Sequence, residues 1–263
     1  MKHKKILLIA LIAIFVGGIL ATVAWGLGAS TSLIWDGGIR IGGSLTRTEL
    51  NETLSSFHEI ELTVGVSNVT LRHGDDFRIE GHHYGAITYE VRNDRLVVNA
   101  PARNQFALFG WSRGGGGNVT ITVPLPEDAA LERASLSVGV GNVYVQNVAL
   151  LSVVLESGVG DVYVQNVNFR DAVLESGVGN IHAVGLFTGW SYFTSGVGDV
   201  TLQVSGPQDE FSYSIEAGVG NVTIDGVRQG GALGNSLSHT ASDFRGSLQI
   251  ESGVGNVSVS FSG

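Results

Sequence analysis

The sequence predicts an all-β solenoid built of coils about 19 residues long, preceded by one transmembrane helix. Three observations predict it. Residues 6–27 form an uncharged apolar run. The motif Gly-Val-Gly-Asn/Asp-Val/Ile recurs with its first glycine at Gly139, Gly158, Gly177, Gly196, Gly218 and Gly253, at spacings of 19, 19, 19, 22 and 35. Within each copy apolar residues alternate as on a strand, and the alternation breaks at the second glycine and the residue after it.

The apolar run comes first in the chain. As a helix it is about 33 Å long, enough for a ~30 Å hydrocarbon core and longer than a signal-peptide apolar region. Lys2, Lys4 and Lys5 are the only lysines and precede it. The positive-inside rule then leaves residues 1–30 as a cytoplasmic lysine cluster plus anchor, in a single-pass cell-membrane protein with its C-terminal β region extracellular. Beyond residue 30 lie 12 Arg and 24 acidic residues, a net charge of 12 − 24 = −12. Such a surface argues against nucleic acid and anionic headgroups as partners. Cysteine is absent, which excludes disulfides and thiolate metal sites.

Residues 31–56, rich in Gly, Ser and Thr, read as a juxtamembrane linker. An N-terminal β segment follows over 57–130, with strands expected at 57–64, 68–72, 77–81, 86–92, 95–99 and 118–123 and a turn at Asn93-Asp94. It includes a weaker motif copy, Gly65-Val66-Ser67-Asn68-Val69. Phe106, Phe109 and Trp111 precede the glycine-rich stretch Gly114–Gly117, either as a contact surface or as a cap on the solenoid.

Residues 131–263 form the repeat solenoid. No single copy can bury its own apolar face, so copies must stack. Stacking in chain order gives apolar columns, among them Val140, Val159, Val178, Val197, Val219 and Val254, and Val143, Val162, Ile181, Val200, Val222 and Val257. Ser157, Ser176, Ser195, Ala217 and Ser252 form a small-residue column. The structural corners are Gly141-Asn142, Gly160-Asp161, Gly179-Asn180, Gly198-Asp199, Gly220-Asn221 and Gly255-Asn256, because Gly and Asn/Asp take positive φ most readily. Asn between Asp keeps like charges apart and allows a hydrogen-bond ladder. The same dipeptides also suit hairpin turns, so antiparallel hairpins are the rival topology. Between Asp225 and Leu248 the last interval holds 16 extra residues, read as a surface loop able to carry binding or as a degenerate coil.

The tandem copies from residue 137 onward, with His58–Val64 leading into Asn68–Leu71, resemble the bacterial putative adhesin family, a domain of unknown function. The resemblance covers roughly residues 57–263. It implies a right-handed β-helix-like fold at the bacterial surface and, by the family's name, adhesion or envelope roles. It supplies no catalytic residues.

Glu156 and Glu175 fall in neighbouring copies and could attract a cation, but the corners are mostly neutral Asn, unlike a calcium roll. His73, Asp75, Asp76, His82 and His83 cluster in sequence as a zinc candidate or an ordinary turn. Tyr144, Tyr163 and His182 form an outward row that stacks on sugar rings or fills a strand face. Arg170, Arg228 and Arg245 and scattered acids make no catalytic cluster. No catalytic, metal or cofactor residues are therefore expected. The expected function is a non-catalytic, membrane-anchored surface protein that binds wall polymer, host molecule or envelope protein. The alternatives are an envelope-stress signalling accessory and a glycan-active β-helix enzyme.

Overall fold

A computed structural model describes residues 47–100, 117–124, 131–230 and 233–262. The apolar run 6–27 and the aromatics before Gly114 lie outside the described residues; among the described residues no helix is long and apolar enough to cross a membrane.

The chain forms β1 (Arg47–Thr53), β2 (Glu59–His73), β3 (Arg78–Tyr84), β4 (Thr88–Arg92), β5 (Arg95–Ala100) and β6 (Gly117–Val123). The regular copies give β7 (Leu131–Val140), β8 (Val143–Gln146), β9 (Ala149–Val159), β10 (Val162–Val178), β11 (Ile181–Phe187), β12 (Gly189–Val197) and β13 (Val200–Ser205). After a short 3-10 turn at Gln208–Glu210 come β14 (Phe211–Val219), β15 (Val222–Ile224), β16 (Val227–Arg228), β17 (Leu233–His239), β18 (Gly246–Val254) and β19 (Val257–Ser262). Asn93 and Asp94 have φ of 49° and 64°, the primed turn that joins β4 to β5.

Parallel ladders connect copies 19 residues apart, Val143 to Val162 and Val162 to Ile181, so the coils stack and the hairpin alternative fails. The weak copy behaves as a full coil, with Val69 beside Val143 and Val64 beside Val138. Beyond it β5 and β6 form one further coil. The parallel stack runs from β7 through β2 to β5 and β6, and residues 47–53 of the expected linker are strand β1, antiparallel to β3.

Stacking order departs from chain order at the C-terminal end. Val200 pairs with Val257, and Val257 pairs with Val222. The final copy, β18–β19, thus inserts between β12–β13 and β14–β15. The physical cause is the 22-residue interval. Its three extra residues, around Pro207 and the 3-10 turn, add about 10 Å of reach, enough to pass over one coil spacing of ~4.8 Å and leave a gap. Residues 225–245 are neither free loop nor coil. They hold β16 and β17, which pair antiparallel with β15 and β14 and cover the end of the stack. Leu233 and Phe244 are exposed and Leu237 is half-buried.

The core holds the second-arm columns as expected, with Val143, Val162, Ile181, Val200, Val222 and Val257 buried. The motif valines are a correction. Val140 and Val159 are 47% and 37% exposed and form an outer edge, not a core column. The glycines on either side cause this. A Cβ on Gly177 would come within 2.5 Å of the Gly158 carbonyl oxygen, and one on Gly179 would overlap the Gly160 carbonyl oxygen. Both glycines face the neighbouring backbone along the stack, so the valine between them turns outward.

Candidate binding face

The corners are built from three interlocking columns. Gly141, Gly160, Gly179, Gly198, Gly220 and Gly255 have φ from +142° to +159°. The Asx side chains form the ladder: Asn142 Oδ1 accepts the Asp161 N–H (2.8 Å), Asp161 Oδ1 the Asn180 N–H (2.6 Å) and Asn180 Oδ1 the Asp199 N–H (2.8 Å). It continues through Asp199 to Asn256 (2.6 Å) and Asn256 to Asn221 (3.1 Å), following the stacking order. The serine column adds what its size alone does not reveal. Ser157, Ser176, Ser195 and Ser252 each donate to the corner carbonyl of the coil beneath, at 2.8, 2.9, 2.9 and 3.1 Å. At the open end, Asn235 Nδ2 donates to Gly220 O (2.9 Å) in place of a further coil.

The candidates for chemistry are dispersed. His83 is buried against Ser67, Nδ1 to Oγ 2.9 Å, and burial, then the neighbouring His82, lowers its pKa. His73 contacts the Val123 carbonyl and Asp76 is paired with Arg78 (2.9 Å), which lowers the Asp76 pKa. The described residues contain no group of three or more His, Cys, Asp or Glu placed to hold a metal. Glu156 and Glu175 are cross-strand neighbours, and burial followed by the Glu156 charge raises the Glu175 pKa.

Tyr144 and Tyr163 stack on each other, with centroids 5.3 Å apart and planes 5° from parallel. Their hydroxyls are tied to Asn142 (2.8 Å) and Asp161 (3.1 Å). The two rings spend one face each on the other and their hydroxyls on the corner column, so the row is a cross-strand ladder.

A different surface was missed by reading the repeat alone. A groove of about 280 Å³ lies across β12, β18 and β14, lined by Trp190, Tyr192, His239, Gln249 and the serines of β14 and β18. Trp190 and Tyr192 are 61% and 41% exposed. The Trp190 N–H is held by Asp171 Oδ1 at 3.0 Å. Loop 240–245 lies beside the groove, pinned by Ala241 N to Ser212 Oγ (3.0 Å), Ser242 N to Asp209 O (3.0 Å) and an Arg245–Glu210 ion pair (2.8 Å). It carries Phe244 to a centroid distance of 6.5 Å from Trp190. One signal was present in the sequence. The positions equivalent to Trp190 in stacked coils are Asp171, Ser247 and Ser212, and those equivalent to Tyr192 are Val173, Gln249 and Ser214.

Comparison with known proteins identifies the fold family. No curated protein matches the chain. Among solved structures, the chain is similar to a putative cell adhesion protein from Clostridium sporogenes, at 18% identity and a TM-score of 0.47, over 82% of this chain and 100% of that one. It is also similar to a putative adhesin from Bacteroides fragilis, at 16% identity and a TM-score of 0.37, over 81% of this chain and 97% of that one. The profile described as Toastrack DUF4097 matches residues 57–262, nearly the whole β region, and the chain belongs to that family.

Proposed function

We propose that the chain is a non-catalytic surface module, anchored by residues 6–27 with its β region outside the cell, and that it works by binding. One observation carries this reading: the side chains with catalytic potential are spent on architecture. The one buried Ser–His contact among the described residues is closed off from solvent, with Ser67 and His83 1% and 4% exposed. Asp161 and Asp199 hold the backbone of the next coil, and Arg72 and Arg78 are engaged by Glu80 and Asp76. What remains outward is a rigid, acidic surface with a small aromatic groove.

Protease treatment of intact cells tests the topology and should remove residues 47–263; protection until lysis overturns the orientation. Binding of the full chain to isolated wall polymer, envelope extract or host cells tests the role. A deletion strain altered only in envelope-stress transcription, with no binding by the protein, would replace it with a signalling role.

A further inference from the structure

We propose that the groove over β12, β18 and β14 is a glycan subsite, in which Trp190 and Phe244 stack on the apolar face of a pyranose ring. The hydroxyl and amide groups beside them bond its hydroxyls. The proposal rests on the reading of the chain as a surface binding module and gives that module a ligand class and a place.

Four observations converge. First, the aromatics are exceptions to the repeat. The coils on either side carry Asp171 and Ser247 beside Trp190, and Val173 and Gln249 beside Tyr192, so the solenoid does not require Trp190 or Tyr192 for its own packing. Large aromatics left exposed without a packing role mark contact surfaces. Second, a segment remote in sequence brings a further aromatic beside Trp190. Phe244 is 59% exposed and sits on the loop that interrupts the repeat, and four backbone and side-chain bonds fix that loop over β14. Third, the Trp190 and Phe244 planes meet at 51°, so neither ring covers the other's face, in contrast to the closed Tyr144–Tyr163 stack. Fourth, the lining between the aromatics is uncharged and hydroxyl-rich. It includes Ser247, Ser212 and Ser214, on the same outward face of the sheet as Trp190 and Tyr192. A few polar groups beside aromatic walls is the composition of a small-molecule site.

Charge narrows the ligand. Gln249 Nε2 donates to Glu251 Oε1 (2.7 Å), and Glu216 lies opposite Glu251 on the same outer face. Arg245, on the covering loop, is already neutralised by Glu210. Carboxylates beside the groove favour a neutral or amino-bearing sugar and repel an anionic one. The volume, about 280 Å³, is at the low end for small-molecule pockets, which suits one or two rings of a polymer lying across an open surface.

The test uses the full chain in detergent with four probes: oligomers of N-acetylglucosamine, of glucose and of glucosamine, and polygalacturonate as the anionic probe. Binding of a neutral or amino oligomer is expected, with quenched or shifted tryptophan emission and no binding of polygalacturonate. Trp190→Ala and Phe244→Ala should each weaken binding about tenfold. Trp190→Phe should retain most of it, and Tyr144→Ala should change nothing. Both aromatic positions are exposed, and unchanged thermal melts confirm that the variants fold. Equal glycan binding by the Trp190→Ala/Phe244→Ala double variant overturns the site while leaving the module reading intact. If no probe binds but the chain adheres to cells or to an envelope protein, the glycan class is wrong and the module reading again stands. Loss of all binding, to probes and cells alike, overturns the module reading itself.

Discussion

Gly160 shows how much one residue type decides in this fold. Its φ of +147° is strained for any residue with a side chain, and a Cβ there would overlap the Gly141 carbonyl oxygen. Gly160→Val therefore has no cheap relaxation, because the obstacle is backbone. It should cost about 3 kcal/mol or more in denaturant titrations. Val159→Thr, one residue away and exposed, should stay within about 0.5 kcal/mol. His83 gives a second test at this scale. Burial lowers its pKa from an ordinary value near 6.5, so the folded state prefers the neutral ring. The unfolded chain then takes up the proton first on acidification. The associated stability is complete above about pH 6.5 and is lost as pH falls through the depressed value. Urea midpoints should drop between pH 7.5 and 5, and His83→Gln should flatten that limb.

Among the elements, the insertion of β18–β19 makes the sharpest claim. The chain has no cysteine, so engineered pairs report on a clean background. Thr194 and Glu251 are parallel-ladder partners, whereas Thr194 and Glu216 are separated by the inserted strand. Neighbouring strands at ~4.8 Å satisfy disulfide geometry and strands two apart do not. Thr194→Cys/Glu251→Cys should therefore oxidise readily to a crosslink seen on non-reducing gels. Thr194→Cys/Glu216→Cys should not, and the reverse result would restore chain-order stacking. Strands β16 and β17 explain why the open end tolerates this arrangement: their antiparallel pairing and Asn235 satisfy groups that another coil would otherwise meet.

For the whole molecule, stacking order predicts a gradient of local stability. Central coils have a neighbour on both sides along each arm, while β1, β4, β16 and β17 pair on one side only among the described residues. Repeat stacks gain stability from neighbour interfaces, and unfolding begins where these are fewest. Amide exchange should be slowest in β8, β10, β11 and β13 and fastest in those four edge strands. Uniform protection along the stack would contradict this. The C-terminal coil should be protected nearly as well as the centre, because β18–β19 lies inside the stack although it ends the described chain.

The sequence by itself determined the coil: the strand alternation, the glycine corners, the Asx ladder and the 19-residue register are local or copy-to-copy properties, and a repeated motif exposes them directly. It did not reveal which copy lies next to which. The motif copies at Gly196, Gly218 and Gly253 are nearly identical in sequence, so any of them can stack on another, and chain order does not settle which lies next to which. The valine edge was misread for a related reason, since hydrophobicity suggested burial while backbone contact at two flanking glycines turned the side chain out. The groove belongs to tertiary structure altogether. Trp190 and Phe244 lie 54 residues apart (244 − 190), and only insertion of the last coil and the return of loop 240–245 bring their rings together.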